Sequence, residues 1–187
     1  MSIATLILGQ SGTGKSTSLR NLNPNEVLLI QVVKKPLPFR SAEWKYLSKD
    51  GGSIYVTDSP EVIIKRMQQT SKPIIIIDDY QYVMANEYMR RSTETGFNKF
   101  TEIGRKTWDV FTEASNLADN KRVYILSHTE EAESGKTKIK TIGKMLDEKI
   151  TLEGMVTICL QTGVINEQYI FHTKNSGLNT VKRSEER

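Results

Sequence analysis

Short runs of apolar residues alternate along the chain with longer segments in which apolar positions recur every three or four residues. A run of four to eight apolar residues fits a strand buried on both faces, and a period near 3.6 fits a helix with one buried side. The runs predict strands at residues 3–8, 27–33, 53–57, 74–77, 122–126, 155–160 and 168–171. Ile74, Ile75, Ile76 and Ile77 are followed by Asp78 and Asp79, which reads as a buried central strand with a polar C-terminal tip. Ser59, Pro60 and Glu61 supply a capping hydroxyl, a proline at the first helical position and an acidic first turn, opening a helix to about Gln69. Residues 80–91 predict a second helix. Phe100, Ile103, Thr107, Val110, Ala114 and Leu117 follow at spacings of three and four and predict a long amphipathic third. A short helix is expected from about Lys15 to Asn21, after the first strand and a Gly-rich turn. The alternation predicts an α/β fold, a mostly parallel central sheet covered by helices.

Length and composition bound this picture. The 187 residues, 37% hydrophobic and 26% charged, suit one soluble globular domain, expected over residues 1–180 with a polar C-terminal tail at 181–187. No apolar run approaches the roughly 18 residues that a membrane span needs. Met1 to Thr5 lead straight into the first apolar run without a basic stretch or cleavage site, so no signal peptide is expected and a cytoplasmic location is. Cys159 has no second cysteine to pair with and reads as a small core residue, in keeping with a reducing compartment. One cysteine and two histidines are too few for a structural zinc site. The net charge of +4 points to no partner by itself. Lys136, Lys138, Lys140, Lys144 and Lys149 crowd together against only Asp147 and Glu148, which reads either as a solvated loop or as one that contacts an anion.

Candidate chemistry begins at the first strand's end. Gly9, Gln10, Ser11, Gly12, Thr13, Gly14, Lys15 and Ser16 match the pattern G-x-x-x-x-G-K-[ST] without a mismatch, and Thr17 follows. Successive backbone N–H groups in such a loop point into one concavity and hold phosphate oxygens. Glycines permit the turns and the close approach of the backbone. A helix starting near Lys15 aims its positive end at the anion, Lys15 reaches the β- and γ-phosphates, and Ser16 ligates Mg²⁺. Asp78, at the tip of the isoleucine strand, is the second expected metal-holding residue. Asp79 is either the base for an attacking water or a cap for the next helix; neighbouring carboxylates on a strand face opposite ways and take different roles.

Ser127 and His128 end a further strand on the same edge, as a γ-phosphate sensor or as plain polar strand ends. Glu130, like Glu131, is a reserve candidate for the general base. The guanine-reading N-K-x-D pattern is absent, which favours ATP over GTP, and no protein-kinase signature set occurs.

With Gly9 to Thr17, Ile74 to Asp79, Ser127-His128 and Thr141 to Asp147 in hand, the chain resembles the RecA-like P-loop ATPases of phages. Within them it is similar to Sak-type single-strand annealing recombinases, over roughly Ile3 to Thr180. The resemblance implies a RecA-like core binding ATP and Mg²⁺, a homo-oligomer with nucleotide at subunit interfaces, contact with single-stranded DNA, and action in recombination in a bacterial host's cytoplasm. It also implies a basic residue donated by a neighbouring subunit, with Lys138, Lys140 and Lys144 placed to supply it or contact DNA and Arg90, Arg91 and Arg105 as alternatives. One departure stands out. RecA proteins carry a catalytic glutamate just after the second strand, where this chain reads Gln31-Val32-Val33-Lys34-Lys35. Two other functions fit the same motifs: a small-molecule or nucleotide kinase with residues 130–149 as a lid, and a non-catalytic ATP-dependent replication or packaging accessory.

Overall fold

The computed structural model describes residues 1–182. Its centre is a seven-stranded sheet of strands β1 (Ile3–Leu8), β2 (Val27–Gln31), β3 (Ile54–Val56), β4 (Ile74–Asp78), β5 (Arg122–Ser127), β8 (Ile158–Ile165) and β9 (Gln168–His172). Their order is β3-β2-β4-β5-β1-β8-β9. All neighbours run parallel except β9, which returns antiparallel to β8. This is the expected α/β architecture, a mostly parallel central sheet flanked by helices, with β5 inserted between the strand that leads into the glycine loop and the strand that ends in the aspartates.

Helices α1 (Pro60–Gln69), α2 (Gln81–Arg90) and α3 (Asn98–Asn116) all cover one face of the sheet. Ile63 and Met67 of α1, Val83 and Met84 of α2, and Ile103, Val110 and Phe111 of α3 pack there against Leu6, Ile30, Ile75, Ile77 and Ile125. Among the described residues, the opposite face is covered without an α-helix. Leu19, from a 3₁₀ turn at Ser16–Asn21, and Trp44, from the long connection after β2, close over Ile7, Leu29, Ile76 and Leu126. Ser59 caps α1 as its sequence position implies, its hydroxyl accepting from the Val62 N–H at 3.3 Å.

Several segments differ from expectation, among them the strand expected at 155–160, which runs over Ile158–Ile165. The lysine-rich stretch is not a plain loop: strands β6 (Thr129–Glu131) and β7 (Thr137–Ile139) form a separate two-stranded hairpin, followed by a turn of π-helix at Met145–Lys149. Of the polar tail expected at 181–187, residues 183–187 lie outside those described, while Val181 is buried and Lys182 pairs its backbone with Cys159. No described helix is long and apolar enough to cross a membrane.

Candidate functional site

Parallel strands bring their C-terminal ends to one edge, and here that edge carries the chemistry. In register, Leu8 of β1 lies beside Ser127 of β5, and Gln31 of β2 beside Asp78 of β4. The glycine loop leaves β1 at this edge, with the Gly9 N–H donating to the Ser127 carbonyl at 3.3 Å. Gly12 and Gly14 hold φ of 79° and 91°, a region where a side chain is strained. Gly9 is required for a different reason: a Cβ there would fall 2.0 Å from Thr162 Oγ1.

Lys15 is folded back over its own loop. Its Nζ donates to the carbonyls of Gly9 at 2.8 Å and Gln10 at 2.9 Å. Burial pushes its pKa below the usual lysine value, against the pull of Asp79 and Asp78. The residues after it form a six-residue 3₁₀ turn, so the helix dipole expected to face the loop is weak.

The two aspartates separate as the pleat requires. Asp78 is buried at the end of β4 and accepts from Ser16 Oγ at 2.9 and 3.1 Å on its two oxygens. Burial, with the charge of Asp79, raises its pKa above the usual carboxylate value. Asp79 begins the turn beyond the strand with φ of 62°. It does not cap α2, whose N-cap position is Tyr80. Its side chain is buried and ion-paired to Lys35, while His128 Nε2 stands 3.7 Å from its other oxygen. Burial works against the Lys35 charge, yet the hydrogen bond and charge of Asp79 hold its pKa above the usual value. The His128 pKa is lowered by burial and then by Lys15, with Asp79 opposing.

Gln81, the first residue of α2, locks this corner. Its Oε1 accepts from the His128 N–H at 3.2 Å and from Ser127 Oγ at 3.5 Å. Gln31 fixes the other side: Nε2 donates to the Lys35 carbonyl at 3.0 Å, while Oε1 is buried without a partner among the described residues, as an ordered water's site would be. Lys15, Ser16, Lys35, Asp79 and His128 thus line one open cleft of about 280 Å³.

The remaining candidates fall elsewhere. Glu130 does not line that cleft; it is on the hairpin, 3.6 Å from Lys138. Lys140 is exposed but close to the site, its N–H donating to the His128 carbonyl at 2.9 Å. Lys144 is exposed at the start of the π turn. Arg90 pairs with Asp58 and Glu87, and Arg91 with Glu87, Glu94 and Glu102. Arg105 stands 3.8 Å from Asp109, and its side chain is 80% exposed. Sequence reasoning looked for an acid after β2 and so passed over Lys35, although its place beyond a parallel strand end was a signal. Gln81 gave no signal, since its role depends on how α2 leaves the sheet.

No protein-family model matches the chain, and no curated protein matches it in sequence. Among solved structures it is similar to the genome packaging NTPase B204 from Sulfolobus turreted icosahedral virus 2, in complex with ATP-gammaS. The TM-score is 0.44 at 8% identity, over 88% of this chain and 76% of that one. It is also similar to the VirB11 ATPase of the Brucella suis type IV secretion system, in complex with sulphate, with a TM-score of 0.43 at 10% identity over 91% and 47% of the two chains. The Legionella pneumophila ATPase DotB gives 0.38 at 13% identity, over 91% and 44%.

Proposed function

We propose that the chain binds Mg²⁺-ATP at the glycine loop and hydrolyses it. The observation that carries this is the convergence, in one cleft, of the loop lysine Lys15, of Ser16, which donates to the buried Asp78 behind it, and of Asp79. Lys15 leaves the carbonyls of Gly9 and Gln10 for the phosphates, which offer a charged partner in their place. Ser16 and Asp78 are hard oxygen ligands already in contact, and two such ligands fit an ion that shares its shell with phosphate and water. When bound there, Mg²⁺ would neutralise charge on the β- and γ-oxygens.

Asp79 is placed to take the proton of the attacking water. The water oxygen bonds to the γ-phosphorus as the bond to the β,γ-bridging oxygen breaks, giving ADP and phosphate. For this to happen Lys35 first turns from Asp79 toward the phosphate charge, and this exchange frees the carboxylate. His128, held by Gln81 and close to Asp79, reports the state of that carboxylate to β5.

The finer reading is action on single-stranded DNA in recombination or annealing, by a homo-oligomer with nucleotide between subunits. It is supported by the resemblance and by the exposed Lys136, Lys140 and Lys144 on and after the hairpin. Exposed Lys140, Lys144 and Arg105 are the candidates in this reading for donation to a neighbour. ATP turnover measured with and without single-stranded DNA tests it. Stimulation by DNA, weakened in a Lys140→Ala, Lys144→Ala double variant, is expected. Turnover indifferent to DNA sinks the DNA reading, and transfer of phosphate to an added nucleoside monophosphate moves the assignment to a kinase.

A further inference from the structure

The hairpin of β8 and β9 turns at Asn166 and Glu167, both with positive φ, and pairs Val164 with Tyr169 and Thr162 with Phe171. Residues opposite each other on a ladder share a face. That face looks onto the glycine loop: Thr162 Oγ1 lies 2.6 Å from Thr13 Oγ1 and donates to the Leu8 carbonyl at 3.2 Å. Tyr169 lies over Gly14, where a Cβ would come within 3.0 Å of a ring carbon. Docked as this face is, its two rings remain open, Tyr169 at 68% and Phe171 at 42% exposure.

Beneath the rings is a cleft of about 360 Å³, floored by Thr17, Ser18, Arg20 and Asn21. It shares Gly14, Thr17 and Tyr169 with the phosphate cleft, so one ligand can run from one into the other. A triphosphate end is charged and its nucleoside end is flat and aromatic; the two clefts have that same polarity.

We propose that the β8–β9 hairpin is the nucleobase platform, on which Tyr169 and Phe171 stack a purine ring. This rests on the nucleotide reading above. The polar groups on the floor give little base selection. Ser18 already spends its hydroxyl on the Lys15 carbonyl at 2.6 Å, and Arg20 and Asn21 are exposed, where water replaces any hydrogen bond that a wrong base fails to make. The site therefore takes purine triphosphates as a class, with ATP and GTP within about tenfold of each other.

Calorimetric titration with ATP, GTP and inorganic tripolyphosphate, each with Mg²⁺, separates the base end from the phosphate end. Tyr169→Ala is expected to weaken ATP binding by about tenfold or more while tripolyphosphate binding is unchanged, and Tyr169→Trp to restore it. The exposed ring makes the substitution mild for folding, which a thermal melt checks. Three results overturn the platform: unchanged ATP affinity in both Tyr169→Ala and Phe171→Ala, an equal fall for tripolyphosphate, or a fall that tracks loss of self-association in sedimentation. Lys15→Ala keeps the two readings apart, since it removes tripolyphosphate binding whether or not the platform holds. Wild-type protein that binds neither ligand overturns both.

Discussion

Asp79 has a left-handed backbone, which costs a non-glycine residue about 1 kcal/mol, at a position where its carboxylate is buried among Lys35 and His128. Strain kept at such a place is a mark of function. Asn tolerates the same conformation, so Asp79→Asn removes the charge and keeps the turn. Neighbouring His128 then gives a direct reading of the local field. Its NMR titration is expected to have a midpoint below 6.5, and Asp79→Asn to lower it further, because the lost negative charge is what opposes burial and Lys15. With the folded value depressed, the stability that the neutral ring contributes is full above about pH 6.5 and is lost as pH falls through the folded value. A midpoint above 6.5, or a rise in the variant, contradicts this arrangement. Lys35 has a separate consequence. Lys35→Ala is expected to lower kcat by about 10²-fold with a smaller change in KM, and Lys35→Arg to keep most of the rate, if Lys35 meets charge formed during the reaction. Equal losses in KM would make it a ground-state contact. The glycine loop stood out as a candidate residue by residue because its spacing matches the one that phosphate binding demands. The Lys35–Asp79 pair was not, because two residues 44 positions apart meet only through the β2–β4 pairing.

At the scale of elements, burial explains which boundaries were readable. Ile3–Leu8 was expected at its observed bounds, since a strand covered on both faces is a continuous apolar run. The long helix α3 was visible from its period, and its inward residue Phe111 packs edge-on against Tyr80 with ring centres 5.4 Å apart. Phe111→Ala is expected to cost about 3–5 kcal/mol in urea unfolding, and a loss below about 1 kcal/mol would contradict its place in the core. The β6–β7 hairpin escaped because each strand is three residues long. Its alternation of Lys136, Thr137, Lys138, Ile139 and Lys140 was a period-two signal that the run of charge obscured. The segment after the glycine loop keeps nearly its expected bounds but winds as 3₁₀, and it ends before Pro24.

Across the whole molecule, the sheet divides labour between its edges and its faces. Three helices seal one face, and a 3₁₀ turn and the Trp44 connection seal the other. Every functional candidate on β1, β2, β4 and β5 is at the C-terminal edge, which follows from parallel strands alone. The sequence therefore pointed to a candidate site at this edge without its companions: the hairpin that turns back over the loop and the lysine that lines the cleft come from tertiary packing. The most direct measurement is steady-state hydrolysis of ATP with Mg²⁺ by the wild-type chain and by Lys15→Ala. Turnover in the wild type that falls by at least about 10²-fold in the variant is the expected result, since one preorganised group on the transferring phosphate is worth that much. Turnover that survives Lys15→Ala, or a wild-type chain that binds ATP and never hydrolyses it, would contradict the assignment of this cleft as an ATPase centre.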